Sequence, residues 1–147
     1  MRNAVIGIGN LLRADDGVGI HAVRMLEEEM PEVEAVDLST ANIDLLDHIR
    51  GREKVVIVDA VRSGTDPGTI LRLAPEELVE TDFSQSHGLN LPAILRLGRR
   101  LYPEEMPKEI VILAVEAEDT ESFSSDLTPK VRSSLPELIE KIKVELA

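Results

Sequence analysis

Apolar residues along this chain occur in short runs that alternate with stretches of helical spacing, a pattern typical of strands and helices in turn. The run 55–58 is apolar throughout, as expected of a strand buried on both faces. The predicted strands are 4–8, 34–38, 55–58, 69–73 and 110–115, and the predicted helices are 20–30, 43–49, 91–101 and a segment from 129 onward. This order predicts an α/β fold: a three-layer sandwich with a mostly parallel, twisted, five-stranded sheet, one antiparallel edge strand, and helices on both faces.

Turn and helix-start residues refine this picture. The Ser-Gly-Thr-Asp-Pro-Gly sequence at 63–68 predicts a turn, after which strand 69–73 returns antiparallel at the edge of the sheet. Thr128 and Pro129 are typical of an N-cap and a first helical turn, and Pro136 predicts a break or kink in the last helix. Because no repeat, linker or low-complexity segment is evident, we predict that residues 1–147 form a single domain.

The composition narrows the possible functions. Of the 147 residues 43% are hydrophobic and 2% aromatic, so we expect an aliphatic core and no aromatic platform for nucleic-acid bases. The 28 acidic and 16 basic residues give a formal charge of −12, which opposes binding to nucleic acid and to anionic membranes. Without cysteine, any metal site must use oxygen and imidazole ligands. No leader or long hydrophobic segment is recognisable, so we expect a cytoplasmic protein.

Three residues of metal-ligand type lie where such a fold would place a site. In open α/β sheets, ligands bind at the carboxyl ends of the parallel strands, where loops converge and helix N-termini point inward. The loop after the first strand contains Asp16, the third strand ends at Asp59, and a polar loop with His87 precedes the third helix. We therefore expect these side chains to meet at the edge of the sheet that is formed by the carboxyl ends of the parallel strands.

Two carboxylates and one imidazole form a ligand set that suits zinc, nickel or a related divalent ion and leaves coordination positions open. A metal ion bound there would polarise a peptide carbonyl or lower the pKa of a bound water to ~7. The pattern is therefore typical of hydrolytic chemistry that needs neither serine nor cysteine.

Three segments of the sequence resemble the signature segments of the hydrogenase maturation endopeptidases. They occur in the family's order: Gly-Ile-Gly-Asn-Leu-Leu-Arg-Ala-Asp-Asp-Gly-Val-Gly at 7–19, Val-Ile-Val-Asp-Ala-Val at 56–61 and Ser-His-Gly-Leu-Asn-Leu at 86–91. The resemblance continues through Val-Ile-Leu-Ala-Val-Glu at 111–116 and Leu-Thr-Pro at 127–129, so it covers nearly the whole chain.

This resemblance implies a function and a site. Members of the family clip a short C-terminal extension from the precursor of a nickel–iron ([NiFe]) hydrogenase large subunit after nickel insertion, so that precursor is the expected partner. The family's metal-contacting acid, acid and histidine fall on Asp16, Asp59 and His87, which become the expected catalytic and metal-binding residues. The expected metal is nickel, held by the enzyme or supplied by the substrate, and zinc or cadmium could take its place. We expect a monomer, although the sequence leaves the oligomeric state open.

Two mechanisms are compatible with this trio. In one, the bound metal activates the attacking water; in the other, the trio senses nickel carried by the substrate, and Asp16 or Asp59 acts as an aspartic-type general base. A rival class is a non-hydrolytic, metal-sensing chaperone that binds the precursor without cutting it, since a fold does not by itself define a function.

The chain departs from the family pattern at three places. The first metal-binding acid is often Glu in the family and is Asp16 here. The family often has Asp-Gly-Gly-Thr where this chain has Asp-Leu-Ser-Thr at 37–40, so the acid is kept and both glycines are lost. The Glu-Ala-Glu sequence at 116–118 replaces a commoner Gln-Pro pattern.

Other classes of site are possible for some of these residues. The Gly-x-Gly after the first strand, with Asp37 near the end of the second, is similar to a dinucleotide fingerprint that lacks its third glycine, which predicts a nucleotide-binding module. Ser86 beside His87 offers a serine-protease interpretation, but no Gly-x-Ser-x-Gly elbow is present.

Structural roles are the simpler interpretation elsewhere. Asp16 could cap the helix that follows it, and Asp15 is the better candidate for a pure cap. His21 and His48 fall inside predicted helices among charged neighbours, so we expect them to be solvated or locally hydrogen-bonded. We expect the acidic run 116–121 to be solvated surface, although it lies near the predicted crevice.

Overall fold

The computed structural model describes residues 3–39, 42–78 and 91–147, and strands alternate with helices along them. The strands are β1 (Asn3–Ile8), β2 (Glu34–Leu38), β3 (Lys54–Val61), β4 (Ile70–Leu73) and β5 (Glu109–Glu116). The helices are α1 (Val18–Glu29), α2 (Asp44–Ile49), α3 (Leu91–Leu101) and α4 (Pro129–Leu146), with 3₁₀ turns at Ala14–Gly17 and Pro75–Glu77.

The strands form one sheet in the order β2-β1-β3-β5-β4. β1 pairs in parallel with β2 and β3, and β3 pairs in parallel with β5. β4 is antiparallel to β5 and lies at the edge, as its turn sequence predicts. The predicted fold class is therefore confirmed. The chain order reverses between β1 and β3, which is the point where open α/β sheets form a ligand crevice.

Helices cover both faces of the sheet and give the predicted three layers. α1 and α4 pack on one face, and α2 and α3 pack on the other. Because neighbouring residues of a strand point to opposite faces, β3 supplies Val56 and Val58 to the first layer and Val55 and Ile57 to the second. Each such buried side chain stabilises the fold by roughly 1.5–3 kcal/mol, so the doubly covered sheet is the core.

The third strand is longer than the sequence predicts. β3 continues to Val61, and Asp59 lies within it rather than after it, because pairing with β5 extends past Asp59. The sequence prediction ended this strand at Val58 because Asp59 is the first charged residue after the apolar run. A buried charge in the middle of a paired strand points to a role other than ending the strand.

The last helix is continuous through Pro136, so a break there, one of the two predicted outcomes, is wrong, and a kink stays a prediction. A proline inside a helix costs about 3 kcal/mol. Burial of one apolar side of α4 outweighs this cost; the buried side chains are Val131, Leu135, Leu138, Ile139 and Ile142. Among the described residues, no helix combines the length and the apolar character that crossing a bilayer requires.

Candidate active site

Asp59 is a buried carboxylate near the carboxyl end of the central strand β3. It pairs with Ala114 of β5, and only 1% of its surface is exposed. Val58 and Ala60 on either side point into the layer of α1 and α4, so Asp59 points toward the layer of α2 and α3. Its Oδ1 accepts a hydrogen bond of 2.8 Å from the N–H of Ala60. The strand therefore fixes the direction of this acid.

Asp16 is a second buried acid, in the 3₁₀ turn between β1 and α1. Its Oδ2 accepts a hydrogen bond of 2.9 Å from the N–H of Asn10. The side chain of Asn10 in turn accepts the N–H of Leu12 at 2.9 Å. Asn10 therefore shapes the loop and also orients Asp16.

Glycines allow the Asp16 turn to lie directly on the ends of β1 and β3. A Cβ on Gly9, whose φ is +148°, would lie 1.9 Å from the carbonyl oxygen of Asp16. A Cβ on Gly19 would lie 2.4 Å from the carbonyl oxygen of Val58, which directly precedes Asp59. These approaches require residues without a side chain. They place both acids at the carboxyl edge of the sheet, where the strand order reverses.

His87, the third predicted ligand, lies outside the described residues, as does Ser86. The described chain resumes at Leu91, the first residue of α3, which packs in the layer toward which Asp59 points. Within residues 3–39, 42–78 and 91–147, no three acid or imidazole side chains are grouped so as to hold a metal ion. A ligand role for His87 therefore stays a prediction.

Asp15 is also fully buried, but its carboxylate binds the chain's own backbone. It accepts hydrogen bonds from the N–H groups of Glu118, Asp119 and Thr128 at 2.9, 3.1 and 2.8 Å. The hydroxyl of Thr128 also donates to it, at 2.8 Å. These donors belong to the loop between β5 and α4, so the prediction that Asp15 caps the following helix is wrong. Thr128 occupies the predicted N-cap position of α4, although its hydroxyl serves Asp15 instead of the helix.

The turn containing Asp15 is also strained. Ala14 has a φ of +50°, in the left-handed region that costs a residue other than glycine roughly 1–2 kcal/mol. Its N–H donates to the carbonyl of Ser124 at 2.9 Å, which helps to hold this conformation. Strained backbone of this kind persists where the surrounding structure fixes it, and it is frequent at functional sites.

Glu116, at the end of β5, is a further buried acid with a structural role. Its carboxylate accepts hydrogen bonds from the N–H and hydroxyl of Ser63, the N–H of Gly64 and the hydroxyl of Thr65. Burial raises the pKa of the Glu116 carboxyl, but these hydrogen bonds outweigh burial and the pKa lies below its usual value. The expected solvated acidic run is therefore wrong at this residue, which holds the turn before β4.

A cleft of ≈ 410 Å³ opens beside the Asp16 turn, a volume typical of ligand pockets. Its walls include Asn10, Leu12, Arg24 and Asp37. Arg24 and Asp37 form an exposed ion pair with an Nε–Oδ2 distance of 3.3 Å. Exposed pairs of this kind contribute at most about 1 kcal/mol, so this wall can rearrange around a ligand. Because the N–H of Asn10 also donates to Asp16, the cleft adjoins this buried acid.

Both helical histidines are half-buried. Burial lowers the pKa of His21 below its usual value, a backbone hydrogen bond at Ser125 opposes this, and the charge of Arg24 acts with burial. The Nε2 atom of His21 is buried without a hydrogen-bond partner among the described residues, so full solvation is wrong there. His48 is half-buried in the last turn of α2.

The glycine contacts argue against a dinucleotide site. In that fingerprint, the strand-end glycines leave space for a pyrophosphate. Here the space beside Gly9 is filled by the carbonyl of Asp16, and a Cβ on Gly7 would lie 2.2 Å from the carbonyl oxygen of Gly19. Packing of α1 against the sheet therefore explains the glycine pattern.

Comparison with known proteins identifies the family. The family model described as HycI, hydrogenase maturation protease, matches residues 20–145. The chain therefore belongs to the hydrogenase maturation proteases, and it is a peptidase. Hydrogenase 2 maturation protease of Escherichia coli K12 is 32% identical, over 99% of this chain and 91% of the relative. Hydrogenase expression/formation protein HupD of Thiocapsa roseopersicina is 30% identical over 92% of this chain, which spans only 63% of that longer relative.

Solved structures agree with this assignment. The hydrogenase maturating endopeptidase HybD from E. coli superposes with a TM-score of 0.84 at 30% identity, covering 99% of this chain and 92% of that one. A [NiFe] hydrogenase maturation protease HybD from Thermococcus kodakarensis has a TM-score of 0.81 at 24% identity, with 98% of both chains covered, and shares the fold. The family, fold and peptidase class predicted from the sequence are confirmed.

Proposed function

We propose that this chain removes the C-terminal extension from the precursor of a [NiFe] hydrogenase large subunit once nickel is in place. Membership of a family of hydrogenase maturation proteases supports this substrate. The structural observation that carries the proposal is the pair of buried acids, Asp16 and Asp59, at one edge of the sheet. Both carboxylates would attract a cation brought to that edge, and charges interact more strongly at a buried site than in bulk water.

The side chains at this edge fit a divalent metal ion. Carboxylate oxygens and imidazole nitrogens are ligands of nickel and zinc. One oxygen of each acid accepts a backbone N–H, and a carboxylate has about four acceptor sites, so this orientation is compatible with metal binding. We assign Asp16, Asp59 and His87 as ligands of a divalent metal, nickel by preference and zinc or cadmium as substitutes. The bound metal would polarise the scissile carbonyl.

The protein's own groups would orient the attacking water and accept its proton. β3 pairs with β1 up to Val58 and with β5 through Asp59 to Val61, so the backbone of Asp59 has little freedom. The N–H of Asn10 holds the carboxylate of Asp16. A carboxylate fixed in this way can take a proton from water as a general base. This role applies whether the enzyme holds the metal or the precursor delivers it.

The test uses the purified protein with a purified large-subunit precursor, either loaded with nickel or free of metal. Intact-protein mass spectrometry should show loss of one C-terminal fragment from the nickel-loaded precursor and no change in the metal-free one. A nickel-loaded precursor that binds but keeps its full mass would overturn the protease proposal in favour of the chaperone.

Metal removal separates the two mechanisms. After treatment with a chelator and buffer exchange, the protein should cut the nickel-loaded precursor at its full rate if the substrate supplies the metal. If the enzyme holds its own metal, cleavage should require added nickel or zinc. The cytoplasmic location and the monomeric state stay predictions.

A further inference from the structure

Two exposed apolar side chains stand on adjoining loops beside the buried acids. Leu12 is 48% exposed and Phe123 is 85% exposed. The N–H of Ser124 donates to the carbonyl of Leu12 at 2.9 Å, which joins the loop before α4 to the loop after β1. We call these two residues the Leu12–Phe123 patch. It borders the same edge of the sheet as Asp16, because Leu12 and Asp16 belong to one loop.

Hydrogen bonds hold the loop of Phe123 in place. The carboxylate of Asp119 accepts the hydroxyl and N–H of Ser122 and the N–H of Glu121, and these bonds lower the pKa of Asp119 to about 2. Asp15 ties both ends of the loop to the turn before α1. These bonds therefore hold in place the backbone on either side of Phe123. A preorganised, exposed aromatic residue is typical of the anchor of a protein interface.

The charge around the patch indicates the chemistry of its partner. Residues 116–126 include five acids and no lysine or arginine. These acids outnumber the arginines that contact the segment: Arg13, which pairs with Ser124; Arg62, which donates to Thr120 at 3.1 Å; and Arg132. Glu118 and Glu121 are exposed, whereas Asp126 lies 3.9 Å from Arg132 in an exposed ion pair. The whole chain carries a formal charge of −12. An aromatic anchor among acids complements an apolar recess that is bordered by lysine or arginine.

We propose that the Leu12–Phe123 patch docks the folded body of the protein substrate, at an apolar recess with a basic border. This role presupposes the peptidase function proposed above. Leu12 also lines the cleft next to Asp16, so a precursor bound at the patch would have its extension beside the cleft. Docking outside the cleavage site would let the enzyme recognise the folded precursor in addition to the sequence that it cuts.

The experiment measures the affinity for nickel-loaded precursor by calorimetry, in an Asp59→Asn background that prevents turnover. Adding Phe123→Ala should raise Kd about tenfold or more, the effect of losing an interface anchor. The matched control is Val144→Ala, because Val144 is 74% exposed near the end of α4, at the opposite edge of the sheet. This control should leave Kd unchanged.

A charge reversal tests the border of the patch. Glu121→Lys should raise Kd at low salt, and the difference should shrink as salt is added because screening weakens the attraction. Glu104→Lys makes the same change of charge on an exposed residue between α3 and β5, at the opposite edge. It should have a clearly smaller effect. Equal effects of the two reversals would mean that only net charge matters and would overturn the proposed border.

The outcomes separate this docking role from the proposed function. If the unmodified protein does not cut the precursor, the proposed function fails, while calorimetry still measures the patch. If it cuts the precursor but Phe123→Ala binds as tightly as its parent, the docking role is wrong. Sedimentation of the protein alone tests a second copy as the occupant. A dimer that Phe123→Ala dissociates without changing Kd for the precursor would also overturn the proposal.

Discussion

Asp15 and Asp16 are adjacent in the chain and equally buried, yet their surroundings give them different roles. Asp15 accepts N–H and hydroxyl donors from the loop before α4, a set that makes it a structural tie. Asp16 accepts the N–H of Asn10 and lies where the strand order reverses. At the scale of single residues, burial marks an acid as important, and the identity and position of its donors indicate why.

Asp15→Asn should destabilise the fold by roughly 1–3 kcal/mol, because the amide NH₂ would face groups that are themselves donors. The free energy of unfolding in urea measures this. Asp126→Asn, at an 81% exposed side chain in the loop whose N–H groups donate to Asp15, should stay within about 0.5 kcal/mol of the parent. An Asp15→Asn protein as stable as the parent would show that these hydrogen bonds do not tie the loop.

At the scale of elements, α1 builds the site because its first turn rests on the ends of two strands. Gly19 makes this contact against the carbonyl groups of Val58 and Ile8. The helix then buries Ile20, Val23 and Leu26 and so stays in this position. The distance between the Asp16 turn and Asp59 therefore depends on the close approach that Gly19 allows.

Gly19→Ala tests this packing, because the contact predicts that the substitution lowers the stability of the fold instead of raising it. In an ordinary helix, replacing glycine with alanine stabilises by up to about 1 kcal/mol. Here the added Cβ would lie 2.4 Å from a backbone oxygen, so we expect a loss of stability of about 1–3 kcal/mol or more. Thermal unfolding measures the change. A stabilised Gly19→Ala protein would contradict the described contact between α1 and β3.

α4 is anchored at its end by charges. The carboxylate of Glu145 accepts hydrogen bonds from Lys54 Nζ at 3.1 Å and from the guanidinium of Arg72. The hydrogen bond from Arg72, which outweighs the effect of burial, lowers the pKa of Glu145 to about 2 with further help from Lys54. These bonds tie the last turn of α4 to β3 and β4.

The stabilisation by Glu145 should depend on pH. Because its pKa is lower in the folded protein than the usual 4.5, this stabilisation is complete above pH 4.5 and is lost as the pH falls toward about 2. Glu145→Gln should therefore be less stable than the parent by roughly 1–3 kcal/mol at neutral pH, with the difference shrinking below pH 4.5. Urea unfolding at several pH values measures this.

The control for this experiment is Glu137→Gln, on the same helix but with a side chain that is 66% exposed. It should change the free energy of unfolding little at any of these pH values. A difference between Glu145→Gln and the parent that stays constant from neutral pH to pH 3 would contradict the described ion pairs.

At the scale of the whole molecule, the two ends of the parallel strands differ in their chemistry. The amino edge is the side of the sheet where these strands begin, and the carboxyl edge is the side where they end. Ion pairs among Lys54, Arg72, Glu109 and Glu145 tie strands and helix together at the amino edge. The carboxyl edge instead holds buried acids, strained backbone and a cleft. This division is typical of open α/β sheets, in which one edge stabilises the fold and the other binds ligands.

Local patterns predicted most of the fold because each element carries its own period of apolar residues. These patterns failed to predict the role of a residue, or the length of a strand, where that depends on a partner far away in the chain. The donors to Asp15 include Thr128, 113 positions away, and the donors to Glu116 include Ser63, 53 positions away. β3 was predicted too short because its pairing with β5 is not visible in its own residues. Asp16 and Asp59 were predicted to lie at the carboxyl end of the sheet because one follows the first apolar run and the other follows the apolar run of β3; both are buried there, and their catalytic role stays a prediction.

The most direct test of the central claim is the rate at which Asp16→Asn and Asp59→Asn proteins cleave nickel-loaded precursor. Asp47→Asn, at a 72% exposed acid on α2, is the matched control. We predict that each site variant loses about 10²–10⁴-fold in kcat/KM, as expected for loss of a general base, while the control cleaves at the parent rate. Near-parental cleavage by both folded site variants would contradict a shared catalytic centre at the edge of the sheet.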